Sequence, residues 1–289
     1  MDRVKPYFFT SFNFERIKAA VLFQDVVGKG LELAKEAQNK GIPIVVVEHG
    51  RGAVLDYIAP FNMQLLADKI CVWGSHDRYV LIKGGIDEKR IVLTGCPFLE
   101  GLDRTKSPHK GVNVLFSPAH FTENNDDEPL NIQILDALTA IKGITVYTKL
   151  LNIHTKALRS KRSFISTSYD EDHLKTCMKA IKLADVLVSN QMGTFELTAM
   201  YFNVPIVYVN NRPAETELFL NYYEKSDPKD LGLIFINDIV GLESSIKKCL
   251  DDPNALRKEC QDVLLAQAGI GLPGSATQKI VSVIKGLLK

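Results

Sequence analysis

The sequence predicts an α/β protein built from two doubly wound, Rossmann-like domains. Three observations carry this prediction. Short apolar runs of the buried-strand kind alternate with stretches of helical spacing in both halves of the chain. A polar linker, DRTKSPHKG from Asp103 to Gly111, separates the halves. The chain has 289 residues, about twice the roughly 150 expected of one domain. A boundary in this linker gives domains of residues 1–107 and 108–289.

Composition narrows the function classes. Hydrophobic residues make up 46% and charged residues 24%, as in a soluble globular protein. With 35 basic and 34 acidic residues the formal charge is +1, so no field of one sign draws in nucleic acid. The apolar runs are far shorter than the ~20 residues that span a bilayer, which predicts no integral membrane segment. Asp2, Arg3 and Lys5 interrupt the N-terminus, unlike a signal peptide. Five cysteines, odd in number and without CxxC spacing, read as reduced thiols of a cytoplasmic protein. Six scattered histidines suggest no metal cluster.

In the first half, Ala19–Phe23 is a strand, Gly28–Lys40 a helix stopped by Gly41-Ile42-Pro43, and Ile44–Val47 the next strand. This βαβ unit puts both strands in one parallel sheet. Each strand runs out on a carboxylate, Asp25 and Glu48, at the edge where open α/β sheets bind ligands. Two acids meeting there form a candidate acid/base pair. His49 and Arg51 beside them are candidate substrate contacts. Lys69–Trp73 is a short strand, Ser75 the N-cap of a helix through Lys83, and Arg90–Leu93 a further strand.

The second half starts again with a strand, Val112–Phe116, and a crowded polar loop in which His120 follows the strand end. A helix over Leu130–Ile141 and a strand at Ile144–Tyr147 come next. Its organising stretch is Ala184–Val209, ADVLVSNQMGTFELTAMYFNVPIVYV. Val186–Val188 reads as a buried strand, Ser189–Gly193 as a polar loop, Phe195–Phe202 as a helix halted by Asn203, and Ile206–Val209 as another strand. Such a turn aims the free N–H groups of a helix start at whatever lies beyond the strand ends, and phosphate is their commonest occupant. Gly193 permits close approach, Thr194 adds a hydroxyl, and Glu196 or Thr198, one turn on, is placed to reach a ribose. Amphipathic helices over Val240–Leu250, Asn254–Ala268 and Ala276–Leu288 complete the chain.

From Ala19 onward the chain resembles the UDP-N-acetylglucosamine 2-epimerase family, of the two-domain GT-B architecture. Val47-Glu48-His49-Gly50-Arg51 is similar to the family's V-E-A-G-L-R, and Gln24-Asp25 stands where the family has Gly-Asp. Leu93–Leu102 resembles V-T-G-N-T-x-x-D-x-L. His120-Phe121-Thr122-Glu123-Asn124, followed by Glu128-Pro129-Leu130, resembles H-R-R-E-N with its E-P-L. The diphosphate loop falls on Met192-Gly193-Thr194 and the ribose glutamate on Thr198, with Glu196 two positions back. Gly274–Val281 matches a final G-x-A-x-x-I-V. The resemblance implies a GT-B-like pair of domains with a cleft between them and C2 epimerisation of UDP-GlcNAc. Asp25, Glu48 and His120 would be catalytic. Met192, Gly193, Thr194, Glu196 and Thr198 would hold the nucleotide diphosphate. His49, Arg51, Glu123 and Asn124 would be near the sugar. It implies a UDP-sugar substrate, no cofactor and no metal, and leaves a homodimer open.

The departures define the rival readings. The family's N-terminal Gly-Thr-Arg-Pro loop has no counterpart before Ala19, so the first domain is expected to be reduced. Its P-E-E motif meets Ala59-Pro60-Phe61, without an acid. Glu48-His49-Gly50 and Trp73-Gly74-Ser75-His76-Asp77 also resemble GT-B transferases of surface polymers, such as teichoic acid. Sugar or glycerophosphate transfer is therefore the second reading, and a non-catalytic nucleotide-sugar binder the third.

Overall fold

The structure, a computed structural model, describes residues 14–23, 25, 28–48, 50, 65–119, 128–150, 164–166, 173–191, 193–210, 220, 225, 228–251 and 258–288. The first half contains β1 (Ala20–Leu22), α1 (Gly28–Asn39), β2 (Ile44–Val47), β3 (Lys69–Val72), α2 (Ser75–Lys83) and β4 (Ile91–Leu93). The second half begins with β5 (Val112–Ser117), α3 (Glu128–Ala140), β6 (Ile144–Leu150), β7 (Phe164–Ser166), α4 (His173–Leu183) and β8 (Val186–Ser189). It continues with α5 (Thr194–Tyr201), β9 (Ile206–Val209), β10 (Ile234–Ile236), α6 (Leu242–Asp251), α7 (Lys258–Gln267) and α8 (Ala276–Leu287). Contacts divide the chain into two units, Met1–Pro97 with Gly274–Lys289, and Phe98–Pro273.

The first unit holds a parallel sheet in the order β1-β2-β3-β4. The inner strands β2 and β3 carry the buried apolar runs Ile44–Val47 and Ile70–Val72, as central parallel strands do, while Val21 of β1 and Leu93 of β4 are exposed. Alternation sorts the side chains: Ile44, Val46, Ile70, Val72 and Ile91 pack with Ala34 and Ala37 of α1 and Leu81 of α2. Val45, Val47 and Cys71 point the other way, where Ile280, Val283, Ile284 and Leu287 of α8 cover them. The last helix of the chain thus completes the core of its first sheet. Ser75 is not the cap of α2 but its first residue. The cap is Gly74, whose N–H donates to Asp77 Oδ2 at 3.3 Å.

The second unit holds a six-stranded parallel sheet in the order β10-β9-β8-β5-β6-β7. One face, Val114, Phe116, Val186, Val188, Val207 and Val209, is covered by α3 and α6 through Ile134, Leu135, Leu138, Leu242 and Ile246. Leu115 and Leu187 on the opposite face are equally buried, on the side where α4 and α5 pack against the strands. Chain order reverses between β5 and β8. The strands after β5 first add on one side (β6, β7) and then on the other (β8, β9, β10). Open α/β sheets take their ligands beyond the carboxyl ends of the strands at such a reversal, here β5 and β8.

Candidate functional site at the switch point

Both strands flanking the reversal end on serine, Ser117 and Ser189, each wholly buried. Buried polar groups need partners, and here they find one another. Ser189 Oγ is 3.0 Å from the Ser117 carbonyl, 2.9 Å from the Gln191 carbonyl and 3.0 Å from Glu196 Oε1, and its single proton serves one of them at a time. The Gln191 amide nitrogen donates to Ser117 Oγ at 3.1 Å. Asn190 Oδ1 accepts from the Ala119 N–H at 2.8 Å, Asn190 Nδ2 donates to Asn131 Oδ1 at 2.9 Å, and Asn131 Nδ2 donates to the Ala119 carbonyl at 3.0 Å. This ring ties the loop after β5 to the loop after β8 and to α3. Gln191 Oε1 stays buried and without a hydrogen-bond partner among the described residues.

The turn from β8 into α5 follows. Gly193 is the N-cap, and its N–H donates to Glu196 Oε2 at 2.9 Å, closing a capping box. Glu196 is buried with both oxygens engaged, one on Gly193 and one on Ser189. Its carboxylate braces the turn and does not face outward, contrary to the expectation that it reaches a ribose. Thr198 Oγ1 donates back to the Thr194 carbonyl at 2.6 Å. Gly193 has an extended backbone (φ −158°), and a β-carbon there would meet nothing nearer than Glu196 Oε2 at 3.5 Å. None of the described residues requires glycine at this point. Asn203 ends the helix with φ 55°, while the N–H of Val204 donates to the Ala199 carbonyl and that of Asn203 to Met200. This is a Schellman stop with asparagine in the left-handed position.

At the end of β6, Lys149 is 8% exposed, and its ammonium sits 4.1 Å above the ring centre of Phe195, the second residue of α5. Burial pushes the neighbouring Cys177 thiol up, Lys149 opposes this, and Glu196 adds to it. Among the described residues no group of three or more His, Cys, Asp or Glu is set to hold a metal, and no helix is long and apolar enough to cross a membrane.

In the first unit the two expected carboxylates do not meet. Glu48 Oε2 accepts from the Trp73 N–H at 2.8 Å, and the Glu48 carbonyl accepts from Trp73 Nε1 at 2.8 Å. Trp73 follows β3. Asp25 Oδ2 accepts at 2.7 Å from the N–H of Ala67, which precedes β3. The four residues of β3 lie between these anchors, roughly 13 Å at about 3.3 Å each. The expected acid/base pair is thus corrected to two separate buried carboxylates. The reason is that the chain after β1 carries Asp25 to the start of β3 instead of the end of β2. Burial raises the Asp25 pKa, and the N–H groups of Ala67 and Leu66 and the charge of Arg90 oppose the shift. His49, Arg51, His120, Glu123, Asn124 and Met192 lie outside the described residues.

The buried polar ring was not read from the sequence. Its signal was there: NVLFS and VLVS are apolar runs closed by a serine, a residue that a fully buried strand end keeps only with partners.

No family model and no curated protein sequence matches the chain. Solved structures do. The S. aureus MnaA–UDP co-structure superposes with a TM-score of 0.59 at 18% identity, over 93% of this chain and 74% of that one. UDP-GlcNAc 2-epimerase from Neisseria meningitidis bound to UDP-GlcNAc gives 0.56 at 11% identity, over 93% and 76%. The wall teichoic acid polymerase TagF gives 0.55 at 11% identity, over 85% and 68%. The fold is GT-B.

Proposed function

We propose that the protein is a nucleotide-sugar enzyme whose six-stranded unit holds the nucleotide diphosphate at the β8–α5 turn. The observation that carries this is the buried polar ring at the switch point, which fixes a glycine turn and a helix start at the ligand edge of the sheet. Gly193 supports the reading. Since none of the described residues demands a glycine there, the missing side chain fits a need for close approach by a ligand. The UDP and UDP-GlcNAc carried by two of the similar structures agree with a uridine diphosphate sugar.

The reaction assigned first is C2 epimerisation of UDP-GlcNAc, by loss and re-addition of UDP. Glu48 acts in proton transfer, and His120 stabilises charge on the leaving UDP. Asp25, at the other end of β3, is assigned to holding the Ala67 N–H. A second reading is transfer of a sugar or glycerophosphate unit to an acceptor. It is favoured by the separation of Asp25 from Glu48, because transfer needs one base and not two opposed carboxylates.

Incubation of UDP-GlcNAc with the protein in heavy water separates these readings. Epimerisation exchanges the C2 hydrogen, and Glu48→Gln is expected to slow that exchange by about 100- to 10,000-fold. Absence of exchange with bound nucleotide rejects epimerisation, and acceptor-dependent release of free nucleotide then identifies transfer. His120→Ala is expected to weaken UDP-sugar binding much more than uridine binding. Equal losses for both ligands remove its charge-stabilising role.

A further inference from the structure

Lys149 is held in the β6–β7 ladder by its backbone, but among the described residues its ammonium is matched by no anion. Only 8% of it is exposed, yet among the described residues its ammonium has no hydrogen bond or ion pair and only the face of Phe195 beneath it. A buried cation without an anion is unfavourable, and an aromatic face compensates it only in part. Glu196, whose charge acts on Cys177 in the opposite sense to that of Lys149, has both oxygens engaged by Gly193 and Ser189. That ring belongs to the second residue of α5, so the ammonium lies beside the residue that opens this helix. A second observation marks the same turn as awaiting a ligand: the buried, unpartnered Oε1 of Gln191, an acceptor that a ligand hydroxyl or N–H would satisfy.

We infer that Lys149 is the cation that binds the diphosphate of the nucleotide sugar, making this turn selective for nucleoside diphosphates over nucleosides. The inference rests on the nucleotide-sugar reading above. The diphosphate supplies the anion that the described residues do not, and Phe195 holds the ammonium in place when the ligand is absent.

Titration calorimetry with UDP and with uridine, on wild type, Lys149→Met and Lys149→Arg, tests this. Methionine keeps an apolar stem of similar length in an apolar setting, so the variant is expected to fold with an unchanged or higher Tm. Loss of one charged hydrogen bond corresponds to about 10- to 100-fold weaker UDP binding. Uridine affinity is expected to stay within about threefold, and Lys149→Arg is expected to recover most of the UDP affinity. Equal losses for UDP and uridine, or none for either, overturn the role of Lys149 while leaving the nucleotide site standing. Wild-type protein that binds no UDP overturns both readings together. Should Lys149→Met not fold, the wild type still decides. UDP binding must weaken with added salt more steeply than uridine binding, and equal slopes overturn the assignment.

Discussion

Asp25 shows how a single residue can look catalytic in sequence and be structural in place. It follows an apolar strand, as a ligand-edge acid would, but its carboxylate holds the Ala67 N–H at the start of β3. Burial raises its pKa above the ordinary 3.8, so its contribution to stability is greatest when it is protonated. That contribution is complete below 3.8 and is lost as pH rises through the raised folded-state value. Asp25→Asn keeps the acceptor for Ala67 and removes the charge. It is expected to melt with the wild type in strong acid and above it at neutral pH. The gap should open with rising pH and reach on the order of 2–4 °C, the shift that ~1 kcal/mol produces in a domain of this size. Thermal melts across that range check it, and a gap that narrows as pH rises contradicts the assignment. Neither hydropathy nor spacing could reveal this position, because it depends on where the chain goes after β1.

At the scale of elements, the β8–α5–β9 unit was legible in detail. Val186–Ser189, Thr194–Tyr201 and Ile206–Val209 fall within a residue or two of the segments read from the apolar runs, and Asn203 does stop the helix. Local patterns decide such elements, and this stretch obeys them without conflict. The role of Glu196 was not legible. Its position three residues after Gly193 is a capping-box spacing, yet the same spacing suits a residue turned toward a ligand. The structure gives it both Gly193 and Ser189. Glu196→Ala is expected to destabilise the second unit by about 1–3 kcal/mol, through the lost cap on Gly193 and the lost link to Ser189. Glu196→Gln, which keeps an acceptor for the Gly193 N–H, is expected to recover part of this. Denaturant melts of the two variants measure it, and an unchanged midpoint for the alanine variant removes the bracing role.

For the whole molecule, the alternation of strands and helices was enough to predict α/β sheets in both halves. Strand order was not readable, because adjacency in a parallel sheet depends on crossovers that leave no local mark. The reversal between β5 and β8, which locates the candidate site, came only from the structure. So did the packing of α8 across Val45, Val47 and Cys71. Its amphipathic face is plain in sequence, but the sheet it covers lies almost the whole chain away. Removal of residues 274–289 is expected to expose that face and unfold the four-stranded unit while leaving the six-stranded one protected. Amide exchange reports each unit separately, and equal loss of protection in both contradicts this division. The central claim concerns the six-stranded unit, and amide hydrogen exchange of the full chain with and without saturating UDP tests it most directly. The account predicts new protection concentrated in the β8–α5 turn and the first turn of α5. Saturated binding that leaves those amides unchanged, and protects the first unit alone, would contradict it.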